Sequence, residues 1–171
     1  GGRPGLYRLK VGDDWYAWTQ FEAIDARAAF PCFDQPEFKT PFTLSLLTPP
    51  HDLAISNEAE TGSRPEKGLV RHDFAQTQPL PTYLVAIAVG PFDAVESTVP
   101  PTPQRPQPLP LRVFATRGQA PSLAYALAET KPIVTLLEAY FDRPYPFSKL
   151  DQIASPVMGR AMENAGEIVY D

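Results

Sequence analysis

Leu6-Tyr-Arg-Leu-Lys-Val-Gly-Asp-Asp-Trp-Tyr-Ala-Trp-Thr-Gln-Phe21 is the stretch on which the fold reading turns. Residues 6–11 and 15–21 are short runs rich in aliphatic and aromatic side chains, and Gly12-Asp13-Asp14 between them is a spacer of hairpin length. Two antiparallel strands are predicted. The same pattern continues outward to about Phe114, with further strands predicted over residues 42–47, 53–56, 69–75, 83–89 and 111–115, separated by Gly, Pro, Asn and Asp. Seven such runs predict a two-sheet β sandwich. The 21 prolines, more than twice the usual share of roughly 5%, favour short strands and turns over long helices.

Two interruptions punctuate this β-rich part. Asp25-Ala-Arg-Ala-Ala-Phe30 has an N-cap residue followed by helix formers and is stopped by Pro31, so a short helix is expected. The tract from Pro100 to Pro110 holds six prolines in eleven residues. It resembles an interdomain linker or an SH3 ligand, but strand character resumes directly at residues 113–115, which favours a stiff surface loop between two strands. Beyond Arg117-Gly118 the composition changes. Ser122 is placed to cap a helix whose Leu123, Ala126, Leu127, Thr130, Ile133, Val134, Leu137 and Tyr140 form one apolar stripe. Pro132 predicts a kink or break within it, and Pro144 and Pro146 predict an end near Phe141-Asp142. Strands are expected again at residues 150–154 and 168–170. The reading therefore divides the chain into a β domain over residues 1–116 and the start of a second domain over residues 117–171.

With 171 residues, 43% hydrophobic and 20% charged, the composition excludes low-complexity disorder and collagen-like repetition. The longest apolar run, residues 83–89, is far shorter than the roughly 20 residues a helix needs to span a bilayer. Fifteen basic against 20 acidic residues give a net charge of −5, which argues against nucleic acid or anionic lipid as a partner. Cys32 is the one cysteine, so an internal disulfide is impossible. Gly1 in place of Met, no basic-then-apolar leader, and a chain that stops inside an apparent strand read as a piece of a longer protein.

The inventory of reactive side chains narrows the chemistry. His51 and His72 lie twenty-one residues apart outside any ligand-spaced motif, so they read as surface histidines and no metal ligand is assigned. Cys32 sits in Phe30-Pro-Cys-Phe33, where apolar burial would make a thiol inert. No Gly-x-Ser-x-Gly elbow, P-loop or dinucleotide fingerprint is present. Carboxylates remain. They stand in Thr19-Gln-Phe-Glu-Ala-Ile-Asp-Ala-Arg-Ala-Ala-Phe-Pro-Cys-Phe-Asp-Gln-Pro36 and in Gly159-Arg-Ala-Met-Glu-Asn-Ala-Gly166. In strand geometry Gln20 and Glu22 share a face, whereas Glu163 can meet them only through the tertiary fold. On their own these are solvated carboxylates. Arg27 and Asp34 read as a buried structural ion pair, and Tyr7, Trp15, Trp18, Phe21 and Tyr83 as sheet packing.

Together the two blocks resemble the M1 family of zinc aminopeptidases, the gluzincins related to aminopeptidase N and leukotriene A4 hydrolase. Family forms run close to T-Q-F-E-P-x-D-A-R-x-x-F-P-C-F-D-E-P and G-A-M-E-N-W-G. The resemblance extends through Pro79-Leu-Pro-Thr-Tyr-Leu-Val-Ala-Ile-Ala-Val-Gly90 and Tyr145-Pro-Phe-Ser-Lys-Leu-Asp151, so it covers nearly the whole chain with four blocks in family order.

The resemblance implies a saddle-like N-terminal β sandwich followed by the first helix and strands of a thermolysin-like α+β catalytic domain. It implies a zinc ion held downstream of this chain by a His-Glu-x-x-His helix and a later Glu, so that no catalytic or metal-binding residue lies here. By position, Glu163 would bind the free α-ammonium of a peptide, with Glu22 as second carboxylate and Gln20 beside it. The main chain around Arg160, Ala161 and Met162, next to Asn164, would hold the substrate backbone like an added strand. The implied partners are peptides with a free N-terminus and the rest of the catalytic domain; the chain alone is expected to be inactive. Arg160 stands where the family usually has Gly, Ala165 where it has Trp, Gln35 where it has Glu and Ala23 where it has Pro. Arg160 would add bulk and charge beside the cation site. The competing reading is a non-catalytic β-sandwich interaction module, or an inactive relative of the peptidase.

Overall fold

The computed structural model describes residues 5–156, 159 and 161–170, and it is mainly β. Strands β1 (Gly5–Val11) and β2 (Asp14–Gln20) form the predicted hairpin, with Leu6 opposite Thr19 and Val11 opposite Asp14 around Gly12-Asp13. Next come β3 (Ser45–Thr48), β4 (Leu53–Ser56), β5 (Glu60–Glu66), β6 (Leu69–Phe74) and β7 (Ile87–Gly90). A four-stranded antiparallel sheet runs β1-β2-β7-β4, and a three-stranded antiparallel sheet runs β3-β6-β5.

The third sheet is mixed. Its strands are β8 (Asp93–Val99), β9 (Leu109–Ala115), β10 (Leu150–Ala154), β11 (Met162–Asn164) and β12 (Glu167–Tyr170), in the order β11-β12-β10-β9-β8. Strands β9, β10 and β12 are parallel, and the outer strands β8 and β11 are antiparallel to their neighbours. The connection from β9 to β10 is helix α1 (Ala120–Phe141), the crossover that a parallel pair requires. This sheet takes strands from both sides of residue 116, where the composition changes.

One face of the mixed sheet packs on the four-stranded sheet. Tyr16, Trp18, Ile55, Ala88 and Phe92 meet Phe114, Ile153, Met162 and Val169 in a single buried cluster. Aromatic rings fill it: Tyr16 stacks 5.3 Å from Trp18, while Trp18 and Phe92 at 5.8 Å and Phe92 and Phe114 at 6.4 Å meet edge to face. Full burial of each such side chain stabilises the seam by on the order of 2–3 kcal/mol. Gly90 lets this packing close, because a Cβ there would stand 2.3 Å from the Tyr16 ring.

The other face carries α1, which covers β8 and β9 through Leu123, Val134, Val113, Leu111 and Val99. Over β10 and β12 it leaves a groove of about 720 Å³ lined by Ile133, Leu137, Phe141, Leu150, Ile168 and Tyr170. The predicted stripe is therefore buried only in part, and Ile133, Leu137 and Tyr140 are exposed. The helix runs through Pro132 as one 22-residue element and ends at Asp142 in a left-handed conformation.

Several expectations need correction. Residues 83–89 are not one strand, because Thr82–Leu84 is a 3-10 turn opened by Pro81 and only Ile87–Gly90 is extended. The short helix after Asp25 is a 3-10 turn, Ala26–Ala28, with no side-chain cap from Asp25. His72 is buried against Thr48 and Glu60, not on the surface. Cys32 is half-buried; burial and the nearby Asp34 carboxylate push its thiol up. In the Arg27 and Asp34 pair only the carboxylate is buried, with Arg27 more than half exposed. Among the packing aromatics, Trp15 is exposed and carries Arg8 over its ring instead.

The proline-rich segment lies between β8 and β9, as expected, but it is fastened inward. Arg105 is buried against Glu138 of α1, whose second oxygen accepts from the Thr102 hydroxyl. Burial opposes ionisation of Glu138, yet bonds from Tyr145 N, Arg105 and Thr102 hold its carboxyl below the usual range.

Candidate functional site

Glu163 is the middle residue of β11, a three-residue strand that among the described residues pairs only with β12, which leaves its outer edge open there. Alternation along the strand sends Met162 and Asn164 to the seam, where both are buried, and Glu163 to the opposite face, where it is exposed. On that face it lies opposite Ile168 and one step along from Tyr170. Burial raises the Tyr170 hydroxyl, and the carboxylate of Glu163 adds to the rise.

Gln20 closes β2 on the side that holds Tyr16 and Trp18. It is half-buried, and its Oε1 has no hydrogen-bond partner among the described residues. Glu22 follows two residues later in the turn after β2, exposed, with a cis peptide to Ala23. The turn is closed by Asp25 N donating to Phe21 O at 2.9 Å. Asp34 anchors the rest of this block: burial alone would raise its carboxyl, but bonds from Thr82 and the Arg27 amide hold it below the usual carboxylate range.

The two blocks share a buried cluster only through neighbouring residues, since the Glu163 side chain lies on the face opposite the seam that Gln20 faces. Trp18, two residues before Gln20, and Met162, one before Glu163, belong to the same buried cluster. Ala161, half-buried, leads into β11, and Asn164 closes it. Arg160 lies outside the described residues.

Beneath the seam, sequence reasoning missed a buried polar row. Asn164, Glu167, Asp151 and Arg112 are consecutive cross-strand partners on β11, β12, β10 and β9. Arg112 grips Asp151 with Nε at 2.8 Å and Nη2 at 2.6 Å, and Lys149 Nζ stands 2.7 Å from the same carboxylate. Glu167 is left over: burial, with a contribution from Asp151, pushes its carboxyl up to about 7 against the pull of Lys149 and Arg112; the hydrogen bonds of Arg112 go to Asp151 and those of Lys149 to Ser56 O and Gly166 O. A signal was present. Lys149 and Asp151 stand two apart around an apolar β10, a spacing that puts two charges on one buried face.

No three His, Cys, Asp or Glu side chains come together as a metal site among the described residues, so the residues here do not fit a zinc centre by themselves. No helix among them is long and apolar enough to cross a membrane.

Comparison with known proteins follows the same lines. The profile of the Peptidase M1 N-terminal domain matches residues 3–84. Aminopeptidase M1-B of Oryza sativa subsp. japonica is 40% identical over 175 residues, covering 97% of this chain and 19% of the relative. Aminopeptidase M1-C of the same organism is 39% identical over 168 residues, and glutamyl aminopeptidase of Mus musculus 34% over 176. The chain spans about a fifth of the length of these relatives. An N-terminal domain match together with 34–40% identity along nearly all of its length places the chain in the M1 peptidase family.

Proposed function

We propose that this chain is the part of a zinc-dependent aminopeptidase that recognises the free α-amine of a peptide, with Glu163 and Glu22 as the carboxylates and Gln20 as a neutral acceptor. The observation that carries the reading is Gln20 Oε1, a buried acceptor without a partner among the described residues, on the strand whose Trp18 shares a buried cluster with Met162, the neighbour of Glu163. A buried amide oxygen left unpaired is costly, and an ammonium group is a donor that would satisfy it. A carboxylate that pairs with the same ammonium would reject a blocked or internal peptide nitrogen, which brings no cation to offset its desolvation.

In this reading the open edge of β11 lets the main chain of Ala161 and Met162, and of Asn164, hold the substrate backbone as an added strand. Arg160 belongs to the same segment. Zinc would polarise the scissile carbonyl and activate water, and its ligands belong to a part of the longer protein outside this chain, so the chain alone cleaves nothing. The groove between α1, β10 and β12 is the surface for the rest of the catalytic domain, since parallel strands are covered on both faces in stable folds.

The test uses a protein carrying this chain at the length of its aminopeptidase relatives. Hydrolysis of an aminoacyl anilide should stop with chelator, and Glu163→Ala should lower kcat/KM about 100-fold, the worth of one desolvated ammonium–carboxylate pair. An unchanged rate removes Glu163 from the site.

A further inference from the structure

Building on the amine-site reading above, we propose that Asn57 is a positioning residue for Glu163, acting with Lys149, so that the four-stranded sheet sets where the recognition carboxylate stands. Asn57 follows β4 and is 1% exposed. Its Nδ2 donates to Leu84 O and to Ala165 O, both at 2.8 Å, and its Oδ1 accepts from Ala86 N at 2.9 Å. Three of its hydrogen-bonding positions are thus used by main chain, and one partner lies 108 residues away.

Ala165 and Gly166 are the two-residue turn between β11 and β12. Lys149 holds the second of them, donating to Gly166 O at 3.1 Å while it also reaches Ser56 O and Asp151. The turn sits directly on the Asn57 backbone. A Cβ on Gly166 would be 2.3 Å from Asn57 O, and its φ of +70° is one that glycine adopts without strain.

These contacts matter because β11 is a three-residue edge strand with ladder bonds on one side only. Such a strand has little of its own to resist sliding or twisting, and a one-residue slip would turn Glu163 from the open face to the seam. Fixing one turn carbonyl from the neighbouring sheet through Asn57, and the other through Lys149 directly before β10, pins the register one residue from Asn164 and two from Glu163. Side-chain recognition of a small cation tolerates displacements of only about 0.5 Å.

A double-mutant cycle on the longer protein tests this, with kcat/KM read on an aminoacyl anilide and its N-acetylated form. Asn57→Ala should lower the free-amine value about tenfold or more in the wild-type background and less than about twofold in the Glu163→Ala background, because the residue acts through Glu163. Equal losses in both backgrounds would overturn the proposal and leave Asn57 a stability residue. Should Asn57→Ala fail to fold, Asn57→Ser, which keeps a donor at reduced reach, runs the same cycle with the same two outcomes. If Glu163→Ala alone leaves the free-amine preference intact, the amine-site reading falls and takes this inference with it; if Glu163→Ala abolishes the preference while the cycle is additive, only the inference falls.

Discussion

Asp151 and Asp73 are each gripped by two cationic side chains, and they differ in almost nothing but their surroundings. Asp151 takes Arg112 at 2.8 and 2.6 Å and Lys149 at 2.7 Å inside the seam between two sheets, with its side chain fully buried. Asp73 takes Arg71 at 2.8 Å, Arg64, and the Ser45 hydroxyl at 2.6 Å on the three-stranded sheet, where Arg64 is 57% exposed. Burial makes the first cluster obligatory, since removing Asp151 strands the charge of Lys149, whose side chain is only 3% exposed. On the surface, solvent and salt take over whatever contact is lost. Geometry alone therefore does not rank ion pairs in this protein.

The largest expected effect separates the two directly. Asp151→Ala should destabilise the chain by about 3–5 kcal/mol, because Lys149 and Arg112 remain in the seam uncompensated. Asp73→Ala should leave the urea midpoint almost where it was. Similar midpoints for the two variants would break the comparison.

A smaller effect comes from Glu167, the neighbour of Asp151 on β12. Its carboxyl is raised from 4.5 to about 7, so the folded chain holds this proton more tightly than the unfolded one. Between those values the folded state binds more protons, and the contribution of Glu167 to stability falls as pH rises from about 4.5 through about 7. Urea midpoints at pH 5 and pH 8 should show this loss, and Glu167→Gln should reduce it; an identical pH slope in the variant would show that Glu167 is ionised throughout.

Asp73 provides the smallest and opposite signal. Hydrogen bonds from Ser45, Arg71 and Arg64 hold its carboxyl at about 2, below the ordinary 3.8. Its contribution is present above 3.8 and is lost as pH falls through about 2. An NMR titration of this carboxyl should move toward the ordinary value in 1 M salt, where charges are screened within roughly 3 Å. A salt-independent titration would mean that the cluster is dry and the contrast with Asp151 is overstated.

The parts of the fold legible in sequence are those whose signals are local. Residues 6–21 carry a strand, a short turn and a strand in one window, and β4 is a short, mostly apolar run bounded by the turn formers Asp52 and Asn57. Strand β5 was not legible, because Thr61-Gly-Ser-Arg-Pro65 on its exposed sheet edge has no hydrophobic alternation. Strand β8 was hidden by Asp93, Glu96 and Ser97, although Val95 and Val99 do face α1. Glu138 lies outside the predicted apolar stripe of the helix, and the Arg105 loop arriving from 33 residues upstream makes it a core residue. In the candidate site, the family pattern singled out Gln20, Glu22 and Glu163. The scaffold below them was not singled out: Lys149 and Asp151 stand in the block of residues 145–151 with no role read for them, and Asn57 bonds main-chain groups that any residue presents.

From the sequence alone came the β-rich class, the hairpin, the single long helix and the family, since periodicity, turn chemistry and motif order are properties of neighbouring residues. Tertiary structure decided that β8 and β9 join β10, β12 and β11 in one mixed sheet, that Trp18 meets Met162, and that an asparagine after β4 holds the turn behind Glu163. Those pairings join residues up to 108 positions apart. Their selection depends on which faces can be buried together and which polar groups find partners once water is excluded, and neither quantity exists before the chain has closed on itself.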